Sequence, residues 1–493
     1  MFSFQLFSGT LDRENNSVNE RQNGMIIHES RKALNALLLL VLISSFSFAQ
    51  EIEPAPTFRL INAGYGSAAL GMGGAFVAIA NDMSAIYWNP AGLAQLPGLQ
   101  IAGDYRLTGD SDEDFSEEVF PNRFESAQRF AISGDDLQAI GVSYAFQNQS
   151  FAIVPAFAWH RLSATGPERE LKETAGVVEF LDRDSFIQSE GIFTEETKDD
   201  EEEFTFAIGA RVSNKILIGG SWSFLRNGPD QTVVGDFTDT LVVPGAQTRT
   251  ILDLTQTYRE ERSGNYFKFG ALFYPQSPFS FGGSIRLPYK IESDIFLERT
   301  GPFVLEESLL ENGQIVSTIV TNGTLAQNVT ARSEIEFPME ISGGLAMRPS
   351  NSLLVSGSVT YSDWTDVERI VTDSSNPLVL AEQTLPYPAL RPTATQTSML
   401  QWRAGMEYLF GHFGRGLVIR SGIFRDGQPY ADADGDRVYW NGYTAGVGLG
   451  VGSMRFDVAF VSEEADLFLT PNSRTESHLK HRRWQFSVGY ISL

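Results

Sequence analysis

The chain has 493 residues, no cysteine, and a formal net charge of −24 from 37 Lys and Arg against 61 Asp and Glu. Without cysteine it has neither a disulfide framework nor a thiolate metal or redox site. The acidic balance excludes a broad phosphate-neutralising face, so nucleic acid is not an expected partner.

Residues 1–24 are polar and patternless, and Met25 follows them, so they read as an extension ahead of the true start. Arg31 and Lys32 lead into an apolar run, Ala33 to Phe48, that closes in Ser47-Phe48-Ala49. A charged head, a short apolar core and a small-x-small exit make residues 25–49 a secretory signal peptide. The core Ala33–Ile43 is too short for a spanning helix, and no later stretch is long and apolar enough to be one. A mature chain in a membrane must then cross as a closed barrel, the other structure that pairs every backbone group in lipid.

Residues 50–98 precede the first strand. The part from 61 to 98 is rich in Ala and Gly, and Asp82 is its only charged residue. Such a composition suits a compact element packed inside something. Gly71, Gly73 and Gly74 lack the spacing and the strand–helix setting of a nucleotide loop. Asn89-Pro90 marks a turn.

From there the pattern changes to period two. Phe204, Phe206, Ile208, Ala210 and Val212 alternate with Thr205, Ala207, Gly209 and Arg211; Phe279 to Leu287 and Met454 to Phe460 behave alike. The non-apolar face is mostly Gly, Ser, Thr and Ala, as where side chains crowd a lumen. Candidate strands fall at 99–108, 137–147, 150–162, 203–213, 215–226, 264–274, 279–290, 335–348, 351–365, 399–411, 415–426, 440–452, 453–462 and 482–492. Short turns follow every second strand. Between them lie long segments, 109–136, 163–202, 227–263, 291–334, 366–398, 427–439 and 463–481, expected as loops. Alternating short and long connections predict an all-β, transmembrane, antiparallel up-and-down β-barrel of about 14 strands, with turns in the periplasm and loops outside. The expected location is the outer membrane, in contact with its lipid.

Two acidic runs, Asp110–Glu118 and Glu195–Glu203, read as solvated loops. Asp432, Asp434 and Asp436 resemble the opening of an EF-type calcium loop, but the downstream Glu and flanking helices are missing. No metal or other cofactor is expected.

Gly71-Met72-Gly73-Gly74-Ala75-Phe76, Asn81-Asp82 and Asn89-Pro90-Ala91-Gly92-Leu93 together resemble the N-terminal hatch of the FadL/TodX-type outer-membrane transporters of long-chain fatty acids and hydrocarbons. That family includes PorV-like proteins of a secretion system. Phe337-Pro338, Gly343–Pro349 and Thr360–Val367 resemble its mid-barrel strand pair, and Arg420–Gly427 with Tyr439–Gly450 its late strands. The resemblance implies a hatch over residues 50–98 plugging the lumen of a barrel over 99–493, capture of a hydrophobic small molecule by outer loops, and sideways exit at a kinked strand. Asn89, Pro90 and Ala91 match the hatch motif; Pro155, inside the third strand, is the candidate kink. The chain departs from the usual pattern in ending Ile491-Ser492-Leu493 rather than on an aromatic residue.

Strand parity points Asp104, Arg106, Arg211, Lys268, Arg286, Arg403, Glu407, Arg420, Arg455 and Asp457 inward. They read first as mutually paired charges, since an unpaired buried charge is costly. The sharper reading is that one of Arg211, Lys268, Arg286, Arg403, Arg420 and Arg455 anchors a ligand carboxylate. Of the five histidines, His160 is placed at a strand's outer end, His412 in a short turn, and His478 and His481 in the last loop, none with a recognisable catalytic partner. The function expected is uptake of long-chain fatty acids or other hydrophobic compounds by a monomer, not catalysis. The alternative is a PorV-like shuttle or scaffold whose partners are secretion-system proteins.

Overall fold

The computed structural model describes residues 64–108, 112–116, 128–131, 134–147, 151–162, 168–180, 186–199, 201–243, 246–274, 278–311, 314–375, 383–386, 396–412, 415–431, 435–468 and 476–492. The expected extension, signal peptide and start of the hatch segment lie outside the described residues, as do Asp432 and Asp434.

Fourteen strands close on themselves. They are β1 (Leu99–Thr108), β2 (Gly134–Tyr144), β3 (Ala152–Arg161), β4 (Glu202–Ser213), β5 (Ile216–Arg226), β6 (Ala246–Phe273), β7 (Phe279–Arg286), β8 (Glu340–Met347), β9 (Leu353–Ser362), β10 (Met399–His412), β11 (Arg415–Ala431), β12 (Arg437–Val451), β13 (Met454–Phe468) and β14 (Glu476–Ile491). Each pairs antiparallel with the next, and β14 returns to β1 from Gln100↔Ile491 to Thr108↔Arg483. Closure leaves the wall without a free edge, as lipid requires.

The alternation read from sequence is the alternation of the wall. Phe206 and Ile208 of β4, Ile218 and Trp222 of β5, Phe267 and Phe269 of β6 and Trp402 and Met406 of β10 face outward and are exposed. Their neighbours Thr205, Ala207, Ser221, Lys268 and Arg403 face inward and are buried. An apolar belt around the whole circumference is incompatible with water and is covered by lipid. Neighbouring outward aromatics stack along it, as Trp222 does on Phe267 with centroids 5.8 Å apart.

Short connections join β2 to β3, β4 to β5, β6 to β7, β8 to β9, β10 to β11 and β12 to β13, as expected. The long connections differ from expectation: they are largely β-structure, not loops. Glu168–Phe180 and Phe186–Asp199 form one hairpin, Pro229–Val243 pairs with the first part of β6, and Tyr289–Glu311 pairs with Gln314–Phe337. These hairpins also join each other, through 186–199 with 229–242 and through 246–264 with 291–309. The result is an antiparallel sheet of six long strands rising beyond the barrel wall, flanked by the shorter Gln128–Ala131 and Glu368–Ser374. His478 and His481 are likewise in strand β14 rather than in a loop.

Candidate functional site

Residues 64–96 form two short helices, α1 (Ser67–Gly71) and α2 (Ala85–Trp88), and a 3-10 helix at Pro90–Gln95. Almost every residue from Gly64 to Ala94 is buried. A segment this short cannot make a core of its own. It uses the barrel's: Phe76, Ile79, Met83, Ile86 and Trp88 pack in one cluster with Val154 and Ala158 of β3 and Ala346 of β8.

Asn89, fully buried, holds the centre of this arrangement. Its Oδ1 accepts from Ala91 N at 3.1 Å, capping the 3-10 helix whose first position is the conformationally pre-set Pro90. Its Nδ2 donates to Val77 O at 2.9 Å and to Ala271 O of β6 at 3.0 Å. One amide thus closes the segment on itself and fastens it to the wall. Ala91 packs against Leu217 of β5 and Leu272 of β6.

The wall is shaped to receive the segment. Gly209, Gly219, Gly270, Gly282, Gly405 and Gly422 occupy inward positions on six strands, and a Cβ on any of them would fall on the segment between Met72 and Ala94. At Gly270 it would strike Asn89 Oδ1 itself. Backbone therefore rests on backbone, a close approach that only glycine permits. Between these contacts, wall side chains bind the segment's free carbonyls. Lys268 Nζ donates to Tyr87 O at 2.6 Å and Ser280 Oγ to Ala78 O at 3.0 Å. Thr444 Oγ1 donates to Gly71 O and accepts from Gly73 N, both at 3.0 Å. On β14, Ser487 Oγ lies 2.7 Å from Ser67 Oγ and also donates to Asp104. In the sequence the inward glycines and serines read only as lumen filler. Their role as a seat needs the register of eight strands at once.

The six candidate anchoring cations all point inward, and each has a partner. Arg211 reaches Ala94 O at 3.5 Å, and Lys268 bonds Tyr87 O. Arg286 is 3.4 Å from Glu340, and Arg403 is 2.7 Å from Asp426. Arg420 joins Glu407 at 2.8 Å and Asp457 at 2.6 Å, while Arg455 meets Asp457 at 2.7 Å. Arg106 and Asp136 pair at 3.0 Å. Buried charges arranged this way satisfy one another, and removing one partner would strand the other. Arg403 also lies over the Trp88 ring, 5.4 Å from its centroid, so its charge bears directly on the segment.

Pro155 faces outward in β3. The β2–β3 ladder pairs Ala139–Ser143 with His160–Ala156 and resumes at Phe146↔Ile153, leaving Tyr144 and Ala145 unpaired with Pro155 and Val154 across the seam. Pro has no N–H to give. His160 lies at the outer end of β3 as expected, and there it is buried and faces inward, Nε2 3.3 Å from Glu203 Oε2 and its ring 4.9 Å from that of Tyr65. Tyr266 donates to the same carboxylate at 2.7 Å. Among the described residues no group of three or more His, Asp and Glu could hold a metal ion.

Above the segment the inner wall carries a row of aromatic rings. Tyr266 of β6 is 4.9 Å from Tyr289, Tyr289 is 5.1 Å from Phe337, and Phe337 is 5.1 Å from Trp364. Ile335, Val367 and Met399 pack with Phe337 and Trp364. Arg286 lies over both Tyr266 and Tyr289 at 5.7 and 5.4 Å, between this row and the segment.

No protein-family model matches the chain, and no curated protein does. Solved structures do. The Pseudomonas putida toluene transporter TodX is 12% identical over 87% of this chain and 99% of its own, with a TM-score of 0.50. A Pseudomonas aeruginosa FadL homologue is 13% identical over 87% of this chain and 98% of its own, with a TM-score of 0.50. The chain therefore has the fold of the FadL/TodX-type fourteen-stranded barrels.

Proposed function

We propose that this protein is an outer-membrane channel for uptake of hydrophobic compounds, in which residues 64–96 act as a hatch across the lumen. The observation that carries the reading is the aromatic row from Trp364 to Tyr266, which leads from the outer mouth towards Tyr87 and Trp88 of the segment. Such a row offers an apolar molecule a series of ring faces, and flat rings favour aromatic or extended alkyl guests. The fold shared with a toluene transporter and a FadL homologue agrees with this class of cargo. Long-chain fatty acids belong to the same class.

Exit is proposed at the β2–β3 seam. There Pro155 breaks the ladder at the level where β3 packs on the segment, so an apolar cargo could pass into the bilayer without entering the periplasm. The test is uptake of radiolabelled toluene, alkane and oleate by a deletion strain with and without the gene restored. Restoration should raise uptake of at least one substrate several-fold; no change for all three would sink the proposal.

A further inference from the structure

The extracellular sheet has two outer edges, and they differ in kind. One is the strand Glu168–Phe180, which beyond its short contact with Gln128–Ala131 has a single neighbour among the described residues. It carries Glu168, Arg169, Glu170, Lys172, Glu173 and Glu179. Charge of this density is the usual protection of an open edge against pairing with another chain. The other is Gln314–Phe337. It pairs along its whole length with Tyr289–Glu311, but on its far side only residues 331–335 meet a second strand, Glu368–Ser374, with Thr330 bonded to Ser375. From Gln314 to Val329 the far side has no partner among the described residues.

Apart from a bulge at Val316, where Leu309 pairs with Ser317 and Leu310 with Ile315, this second edge carries none of the usual protections among the described residues. Residues 314–330 read QIVSTIVTNGTLAQNVT, with no charge and no proline. Ile315, Val316, Ile319 and Val320 are 54–61% exposed. At about 3.3 Å per residue the open stretch is roughly 50 Å long. The strand behind it is acidic: Glu298, Glu306 and Glu307 lie alongside, opposite Asn328, Val320 and Ile319, with Arg299 on the same strand and Arg249 of β6 3.6 Å from Glu306. A strand added to the edge would lie about 10 Å from them, near the ~8 Å screening length, within reach of flexible lysines.

We infer that the edge at residues 314–329 is a docking site for an extended segment of another polypeptide, added as a further strand, whose side chains alternate apolar or β-branched residues with Lys or Arg. Main-chain hydrogen bonds supply the affinity, and the acidic strand behind selects basic character. A second copy of this chain is the poorer occupant, because pairing edge to edge would bring two acidic strands together. The inference is independent of the transport reading, since no residue of the edge lines the barrel.

The test uses the full-length protein in nanodiscs and a fluorescent synthetic 14-residue peptide alternating lysine with valine and threonine. The controls are the same peptide with glutamate for lysine and a version N-methylated at alternate amides. The lysine peptide should bind at least tenfold more tightly than the glutamate peptide, N-methylation should abolish binding, and amide exchange should slow at residues 314–329. Val316→Lys with Val320→Lys, which places charge on the edge while keeping its hairpin, should weaken binding at least tenfold. Val234→Lys, a single lysine on an interior strand of the sheet, should leave it within about threefold. Equal binding of the lysine and glutamate peptides, or undiminished binding by the edge variant, would overturn the inference. Dimers of the free protein that vanish in the edge variant would overturn the choice of occupant.

Discussion

Asn89 makes three hydrogen bonds from one buried amide, so its removal should act on the N-terminal segment far more than on the barrel. Asn89→Ala loses a helix cap and leaves the carbonyls of Val77 and Ala271 without this donor. A cap contributes about 1 kcal/mol and each stranded buried acceptor about 1–3 kcal/mol, so docking of the segment should weaken by roughly 3–7 kcal/mol. Hydrogen exchange should then quicken across residues 64–96 while the β-strands keep their protection; uniform change in both would show that the barrel, not the segment, had been damaged. Asn89→Asp separates the two roles, because it keeps the acceptor for Ala91 N–H but turns a carboxylate towards two carbonyls. Its exchange should be at least as fast as that of the alanine variant. Gly270→Ala should reproduce the effect from the other side of the contact, by pushing a methyl group onto Asn89 Oδ1. Were Gly270→Ala silent in the same exchange measurement, the seat would be looser than the geometry requires.

The elements divide by what their surroundings demand of the sequence. A strand with lipid on one face and a packed lumen on the other must alternate, and all fourteen wall strands were legible for that reason, down to the inward phase of Arg211, Lys268 and Arg455. Gln314–Phe337 faces water on both sides at its outer end, so no apolar face marks it, while Pro229–Val243 does bury one face, but Gln231 and Gly235 interrupt Val233 and Leu241 on it, so both pass for loops. The segment's place was legible only by resemblance at Asn89-Pro90-Ala91, since the glycines that seat it are scattered over 200 residues of sequence. The sheet beyond the wall is held at its base by a charge cluster that no spacing announces. Glu260, on the part of β6 beyond its last pair with β5, meets Arg262 at 2.8 Å, Arg369 at 3.1 Å and the Tyr258 hydroxyl at 2.9 Å. Burial opposes its charge, but Arg262 and Arg369 outweigh burial and hold the carboxyl well below the usual carboxylate range. A depressed value means that stability is present above the unfolded pKa, about 4.3, and is lost as pH falls through the folded value. Protease nicking of residues 229–262 should therefore rise only below about pH 4. Glu260→Gln should bring that susceptibility to neutral pH and flatten its acid dependence; an unaltered pH profile in the variant would assign the acid response to other groups.

At the scale of the whole molecule the question is whether the segment must move for anything to pass. Every contact described above fixes it: backbone on glycine, carbonyls on Lys268, Ser280 and Thr444, and the Ser67–Ser487 hydroxyl pair at the far side from Asn89. With no cysteine in the chain, a single engineered disulfide can be formed without competition. Ser67→Cys with Ser487→Cys replaces hydroxyls 2.7 Å apart by thiols that need close to 2 Å, a small adjustment on a short helix. If the cargo leaves only when α1 withdraws from β14, oxidation should cut uptake at least tenfold and reductant should restore it, while each single cysteine variant transports normally. If instead the cargo turns sideways above a stationary segment at the Pro155 seam, the oxidised double variant should transport like the parent. A second disulfide across that seam, Tyr144→Cys with Pro155→Cys, should then block uptake. Near-parental uptake in both fully oxidised variants would exclude withdrawal of α1 and opening of the β2–β3 seam together, and the lumen would have to conduct around the segment as it stands. The two locks divide the routes because α1 and the Pro155 seam are held by separate contacts: α1 against β11 to β14 and the seam between β2 and β3.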